Sequence, residues 1–108
     1  MPYYKEFVTG KNEKGIQKLE TGEYEFPDDD ILLLDITEQE WDFINSNIAL
    51  WACEEFEIIF SDYEYDEIPN ELVDVFLERL GEDKDKAPGF YEALITAKQA
   101  GGLIQICF

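Results

Sequence analysis

Hydrophobic and polar positions change period several times along this chain, and each change predicts an element. YYKEFVT (3–9) alternates and is rich in β-formers, which predicts a first strand. GKNEKG (10–15) is polar and glycine-bounded and reads as a turn or loop, followed by the weakly patterned IQKLETGEYEF (16–26). Alternation at Tyr24 and Phe26 permits a second short strand there. Pro27 and the run Asp28-Asp29-Asp30 then break regular structure, because like charges so close together favour a solvated loop. ILLLDI (31–36) is a short continuous apolar run, the pattern of a buried strand.

Thr37 and Glu40 have capping-box spacing, so a helix is expected to start at Glu38 and end near Asn45 or Asn47, carrying Trp41, Phe43 and Ile44 inward. IALWACEEFEIIF (48–60) mixes signals and reads as a turn or helix extension followed by a strand at about 55–60. SDYEYDEIPN (61–70) reads as a strand end entering a loop. Asn70 is the expected N-cap of a helix over 71–80, in which Leu72, Val73, Val75, Phe76 and Leu80 give helical spacing and Gly81 supplies the stop. GEDKDKAPG (81–89) reads as an exposed loop. FYEALITAKQA (90–100) predicts an amphipathic helix ended by Gly101-Gly102, and LIQICF (103–108) a closing, buried strand. The expected class is α+β: one domain over 1–108, a small, mostly antiparallel sheet with about three packed helices.

Composition agrees with a folded domain. The 108 residues are 45% hydrophobic and 15% aromatic, unlike a disordered acidic tail. No apolar run is long enough to cross a membrane, and the start of the chain lacks a secretory-signal pattern, so a cytoplasmic protein is expected. Cys53 and Cys107 sit in apolar contexts and are expected as reduced core thiols.

Charge changes the picture more. There are 26 acids and 8 bases, a formal net charge of −18. Residues 19–78 contain 20 of the acids and no lysine or arginine, so that span carries −20. Self-repulsion on this scale opposes compaction, and it exceeds the net charge of about 2 to 8 that suffices to keep a small domain soluble.

The chemistry available is narrow. With no histidine, no nucleophile elbow, no phosphate-binding glycine loop and no dinucleotide fingerprint, an enzyme is not expected. Asp62-Tyr63-Glu64-Tyr65-Asp66 has the alternating oxygens of a calcium loop, but Glu67 stands where that loop requires glycine, so neither metal nor cofactor is expected. Direct nucleic-acid binding is opposed by the sign of the charge. The sign instead suits a basic protein partner, whose encounter it would accelerate.

Two acid-aromatic stretches are the candidate partner-binding residues: Glu23, Tyr24, Glu25, Asp28, Asp29 and Asp30 in the first, and Asp62, Tyr63, Glu64, Tyr65, Asp66 and Glu67 in the second. If 61–67 is extended, Asp62, Glu64 and Asp66 project to one side, roughly 6.6 to 7 Å apart, with Tyr63 and Tyr65 on the other. That spacing is comparable with phosphates along a nucleic-acid strand, so carboxylates could stand in for phosphates and tyrosine rings could stack where bases would. The simpler reading is that the tyrosines pack inward and the acids face water.

Small size, strong acidity, absent catalytic signatures and the segments EYEFPDDD (23–30) and SDYEYDE (61–67) together resemble the bacterial immunity proteins that neutralise nuclease toxins. That functional class includes barstar-like, colicin-immunity and contact-dependent-inhibition immunity proteins. The ending FYEALITAKQAGGLIQICF is similar to barstar's helix, small-residue break and terminal apolar strand. Barstar's Tyr-Tyr-Gly turn has no counterpart, because Tyr3-Tyr4 is followed by Lys5, and no barstar site residue is carried over. The resemblance implies a cytoplasmic inhibitor of a cognate basic toxin, a ribonuclease or deoxyribonuclease domain. The alternatives are a DNA mimic acting on a restriction enzyme or other DNA-binding protein, and an acidic adaptor with no nuclease partner.

Overall fold

Residues 5–61 and 65–108 are described by a computed structural model. They form β1 (Glu6–Gly10), α1 (Glu13–Thr21), β2 (Ile31–Asp35), α2 (Glu38–Asn47), α3 (Ala49–Phe56), β3 (Tyr65–Ile68), α4 (Asn70–Leu80), a 3₁₀ turn (Gly81–Lys86), α5 (Pro88–Ala100) and β4 (Ile104–Cys107). The strands make one antiparallel sheet in the order β2-β1-β4-β3. The α+β class holds, with five α-helices where about three were expected.

Strand alternation divides the sheet into two faces. Register places Leu34, Phe7, Ile106 and Asp66 in one inner row, with Leu32, Thr9, Ile104 and Ile68 beside it. This face meets α2 to α5 in a core where Phe7, Phe76, Phe90, Ile68, Ile104 and Ile106 are almost wholly buried. Phe7 stacks on Phe90 at 4.9 Å between ring centroids, and Phe60 meets Phe7, Phe76 and Phe90 edge-on or tilted. Each such ring contributes about 1.5–3 kcal/mol by burial.

Several expected elements differ. Residues 10–26 contain a helix: Asn12 Oδ1 accepts from Gly15 N at 2.9 Å as its N-cap, and Gly22 ends it in a left-handed conformation. Gly15 lets this helix lie against the chain, since a Cβ there would sit 1.9 Å from the Asp30 carbonyl oxygen. No strand forms at Tyr24 and Phe26. The run 31–36 is a strand, but at the sheet edge, so Leu32, Leu33 and Leu34 are only half-buried.

Helix α3 extends to Phe56, and Glu57 takes the left-handed cap at φ 58°. Residues 57–60 alternate exposed and buried as a strand would, yet no described residue pairs with them as one. The Ile59 N–H instead donates to the Asp66 carboxylate at 2.8 Å. The expected loop after Ser61 contains β3, and the expected loop 81–89 contains the 3₁₀ turn and the start of α5.

Two predicted caps are used differently. Thr37 Oγ1 does accept from Glu40 N at 3.1 Å, but the Glu40 carboxylate turns away to α5. Pro69, not Asn70, occupies the cap position of α4. The Asn70 amide donates to the carbonyls of Ala97 (3.3 Å) and Gly102 (2.9 Å), tying the start of α4 to the end of α5. Cys107 is half-buried and Cys53 is exposed on α3, so the core-thiol expectation fails for Cys53.

Candidate functional site

The second face of the sheet follows from the same alternation. Register aligns Asp35, Glu6, Cys107 and Tyr65 in one row across all four strands, with Leu33, Val8, Gln105 and Glu67 in the next. Helix α1 covers this face around Val8 and Ile31, where Leu19 is buried, and Tyr24, Leu33 and Cys107 pack at the margin. Among the described residues no helix covers the row from Asp35 to Tyr65, which spans three strand spacings, about 14 Å.

Glu6 and Asp35 are paired directly. The Ile36 N–H donates to the Lys5 carbonyl at 3.0 Å, which makes Lys5–Ile36 a hydrogen-bonded pair and Glu6–Asp35 the closer, non-bonded pair. Burial pushes the Glu6 carboxyl above its usual range, and the Asp35 charge and a hydrogen bond to Asp35 push it further. Like charges directly opposite each other destabilise a sheet. At the other end of the row, the Tyr65 hydroxyl donates to the Glu67 carboxylate at 2.6 Å. Desolvation, then Glu67, hold this phenol well above the ordinary range, with smaller contributions from Cys107 and Tyr24. The Tyr65 ring is 56% exposed.

The predicted residues divide by what they touch. Asp62, Tyr63 and Glu64 lie outside the described residues. Tyr65 and Glu67 share the open face, whereas Asp66 points to the opposite, core-facing side. There its carboxylate accepts from Ile59 N at 2.8 Å and Glu67 N at 2.7 Å, so it fixes backbone within the chain. Asp28 and Asp30 both hold the Lys18 ammonium at 2.9 Å. Asp28 also accepts from Asp30 N, and Asp30 from the Asn12 amide. The Lys18 hydrogen bonds are the main reason both carboxyls lie below the usual range.

These two acids therefore lock the loop onto α1. Glu23, Glu25 and Asp29 remain exposed around it, and Tyr24 is half-buried with its ring edge-on to Phe26 at 5.3 Å. Tyr24 thus brings the first stretch to the same face as Tyr65. Burial, then Cys107, raise the Tyr24 phenol.

Glu6, Asp35 and Cys107 are the site residues that sequence reasoning missed. Strand alternation in 3–9 already placed Glu6 opposite to Phe7, which was a usable signal for its face. Its meeting with Asp35 depends on register between segments about 30 residues apart, which no local pattern encodes. Among the described residues no group of three His, Cys, Asp or Glu side chains is placed to hold a metal ion, and no helix is long and apolar enough to cross a membrane. Comparison with protein-family models, with curated proteins and with solved structures returned no match.

Proposed function

We propose that this chain is an inhibitor of a basic protein, and specifically a cytoplasmic immunity protein that covers the substrate cleft of a cognate nuclease toxin with the open face of its sheet. The observation that carries the reading is the row Asp35–Glu6–Cys107–Tyr65 with Glu67 beside it, exposed at Asp35 and Tyr65 and half-buried between them. It places two like-charged carboxylates against each other at one end and an exposed tyrosine bonded to a carboxylate at the other. A lysine or arginine of the partner placed between Glu6 and Asp35 would relieve their repulsion and form charge-assisted hydrogen bonds. Tyr65 supplies apolar area with a polar tip, the combination favoured at interface centres. Glu23, Glu25 and Asp29 form a charged rim that speeds encounter. The described residues extend over 34 × 33 × 25 Å, which suits a cleft-sized patch better than the long charged face that DNA mimicry needs.

The test is co-purification with the product of the neighbouring gene at low and high salt, followed by a nuclease assay with and without this chain. Glu6→Gln should weaken binding and at the same time stabilise the fold, by about 0.2–1 kcal/mol, because it removes an opposed like charge. Tyr65→Ala should weaken binding by about 2 kcal/mol, roughly 30-fold. Unchanged inhibition in both variants would refute the reading.

A further inference from the structure

Both edges of the sheet end in short strands, and β2 differs from β3 in being unguarded. On β3 the Asp66 carboxylate holds the neighbouring segment through Ile59. On β2 the hydrogen-bonded pairs with β1 fall at Leu32 and Leu34, as fixed by the Ile36–Lys5 bond and by the Lys11 N–H donating to the Asp30 carbonyl at 2.8 Å. The N–H and C=O groups of Leu33 and Asp35 therefore point outward, and no described residue pairs with them. Edge strands are normally blunted by lysine, proline or a bulge. Here four residues, Ile31 to Leu34, are uncharged and apolar.

A groove of about 440 Å³ lies beside this edge, lined by Lys11 and Asp28 and by the apolar Phe26, Pro27, Ile31, Leu32 and Leu33. Phe26 is 44% exposed along it. The edge thus combines free backbone groups, an apolar trough, and the exposed carboxylates of Asp29 and Asp35.

We propose that β2 accepts a fifth strand from the partner: an extended segment in which lysine or arginine alternates with apolar residues. Backbone pairing would run through Leu33 and Asp35, the apolar side chains would enter the trough, and the basic ones would meet Asp35 and Asp29. A second copy of this chain is disfavoured as occupant, because each carries −18 and pairing β2 with β2 would bring two Asp28-Asp29-Asp30 runs to the same edge. The inference deepens the proposed inhibition by specifying a mode of contact, and it is testable whether or not the partner is a nuclease.

The probe is a synthetic heptapeptide alternating lysine and valine, compared with the same sequence N-methylated at every residue, which keeps the charge and leaves no backbone donor on either edge. The plain peptide should bind about tenfold or more tightly than the methylated one at physiological salt, given two or three added backbone bonds. It should also slow amide exchange at Leu33 and Asp35 by about tenfold or more while leaving the β3 edge unchanged. Leu33→Pro, which removes an outward donor and no sheet bond, should abolish the difference between peptides. If that variant fails to fold, the peptide pair and the exchange data decide alone. Equal binding of the two peptides, protection confined to other residues, or salt-induced dimerisation through β2 would overturn the proposal.

Discussion

Replacing Glu40 by alanine should destabilise this protein more than replacing any other acid in the described chain. Helix α5 begins with Ala87 at the cap position, which has no side-chain acceptor, and Pro88, which has no N–H. The first N–H groups left over are those of Gly89 and Phe90, and both donate to the Glu40 carboxylate, at 3.2 and 2.8 Å. Glu40 is 5% exposed, and its role as a cap is performed from another helix. An unsatisfied buried donor costs about 1–3 kcal/mol, and loss of an N-cap about 1 kcal/mol. Relief of carboxylate burial offsets part of this, which leaves about 2–3 kcal/mol. At about 4 °C per kcal/mol for a domain of this size, Tm should fall by roughly 8–12 °C. Glu40→Gln keeps one acceptor oxygen and should lose about 1 kcal/mol. Urea unfolding followed by tryptophan fluorescence measures all three proteins, with the exposed Glu38→Ala as control. If Glu40→Ala stayed within about 0.5 kcal/mol of the control, the remote-cap argument would be wrong.

The pH dependence gives a second handle on the same residue. Burial raises the Glu40 carboxyl above its usual range, and the bonds from Phe90 and Gly89 oppose that rise without cancelling it. The folded state therefore holds this proton more tightly than the unfolded chain. Between the ordinary carboxylate pKa and the raised folded value, stability falls as pH rises. Glu6 has the same sign. Subtracting the Glu40→Gln profile from the wild-type profile isolates the Glu40 contribution, which should favour wild type most at the acid end of the window.

Three further outcomes follow from named contacts. Phe7→Ala removes the ring stacked on Phe90 at the centre of the core and should cost about 3–5 kcal/mol in urea unfolding. Lys18→Met should return Asp28 and Asp30 upward toward the ordinary carboxylate range in an NMR titration. Their lowered folded values contribute stability present above the unfolded pKa and lost as pH falls through the folded one, so the variant should lose that acid-side dependence. A thiol reagent at mildly alkaline pH should modify the exposed Cys53 quickly and Cys107 slowly, since burial and then Glu6 raise the Cys107 thiol; Cys53→Ser should remove the fast phase.

What the sequence could reveal depended on whether a signal was local. The Thr37 cap, the apolar spacing of 71–80 and 90–100, and the left-handed glycine at 101 are decided within one or two turns, and those helices were legible. Helix α1 was missed because its apolar stripe is thin, with only Ile16 and Leu19, and because Asn12 as its cap was hidden inside a glycine-bounded polar run. The 57–60 segment carries a strand's alternation, yet no described residue pairs with it as a strand. Its fate was settled by the Asp66 side chain several residues later. Glu40 and Asn70 each have a good local role as caps, and each was diverted to a distant backbone group that only the packed fold presents.

The same diversion sets apart the acids that are held within the chain. Asp28, Asp30, Glu55, Asp66 and Glu40 each satisfy a cation or backbone N–H within the chain. Solvation alone accounts for Glu23, Glu25 and Asp29, which are exposed and free to spread apart. Solvation reaches the exposed Asp35 as well, but neither explanation reaches the half-buried Glu6 opposite it. They are fixed opposite each other by strand register, and Glu6 is partly desolvated, its carboxyl raised by burial and then by Asp35. Folding gains nothing from that arrangement, since a neutral residue at either position would pair better across the strands. The proposed binding role offers one reason for it: a partner's cation would relieve the opposition, as protonation of Glu6 does within the chain. Stability and affinity should therefore move in opposite directions in Glu6→Gln, whereas a purely solvated pair would raise stability and leave binding untouched.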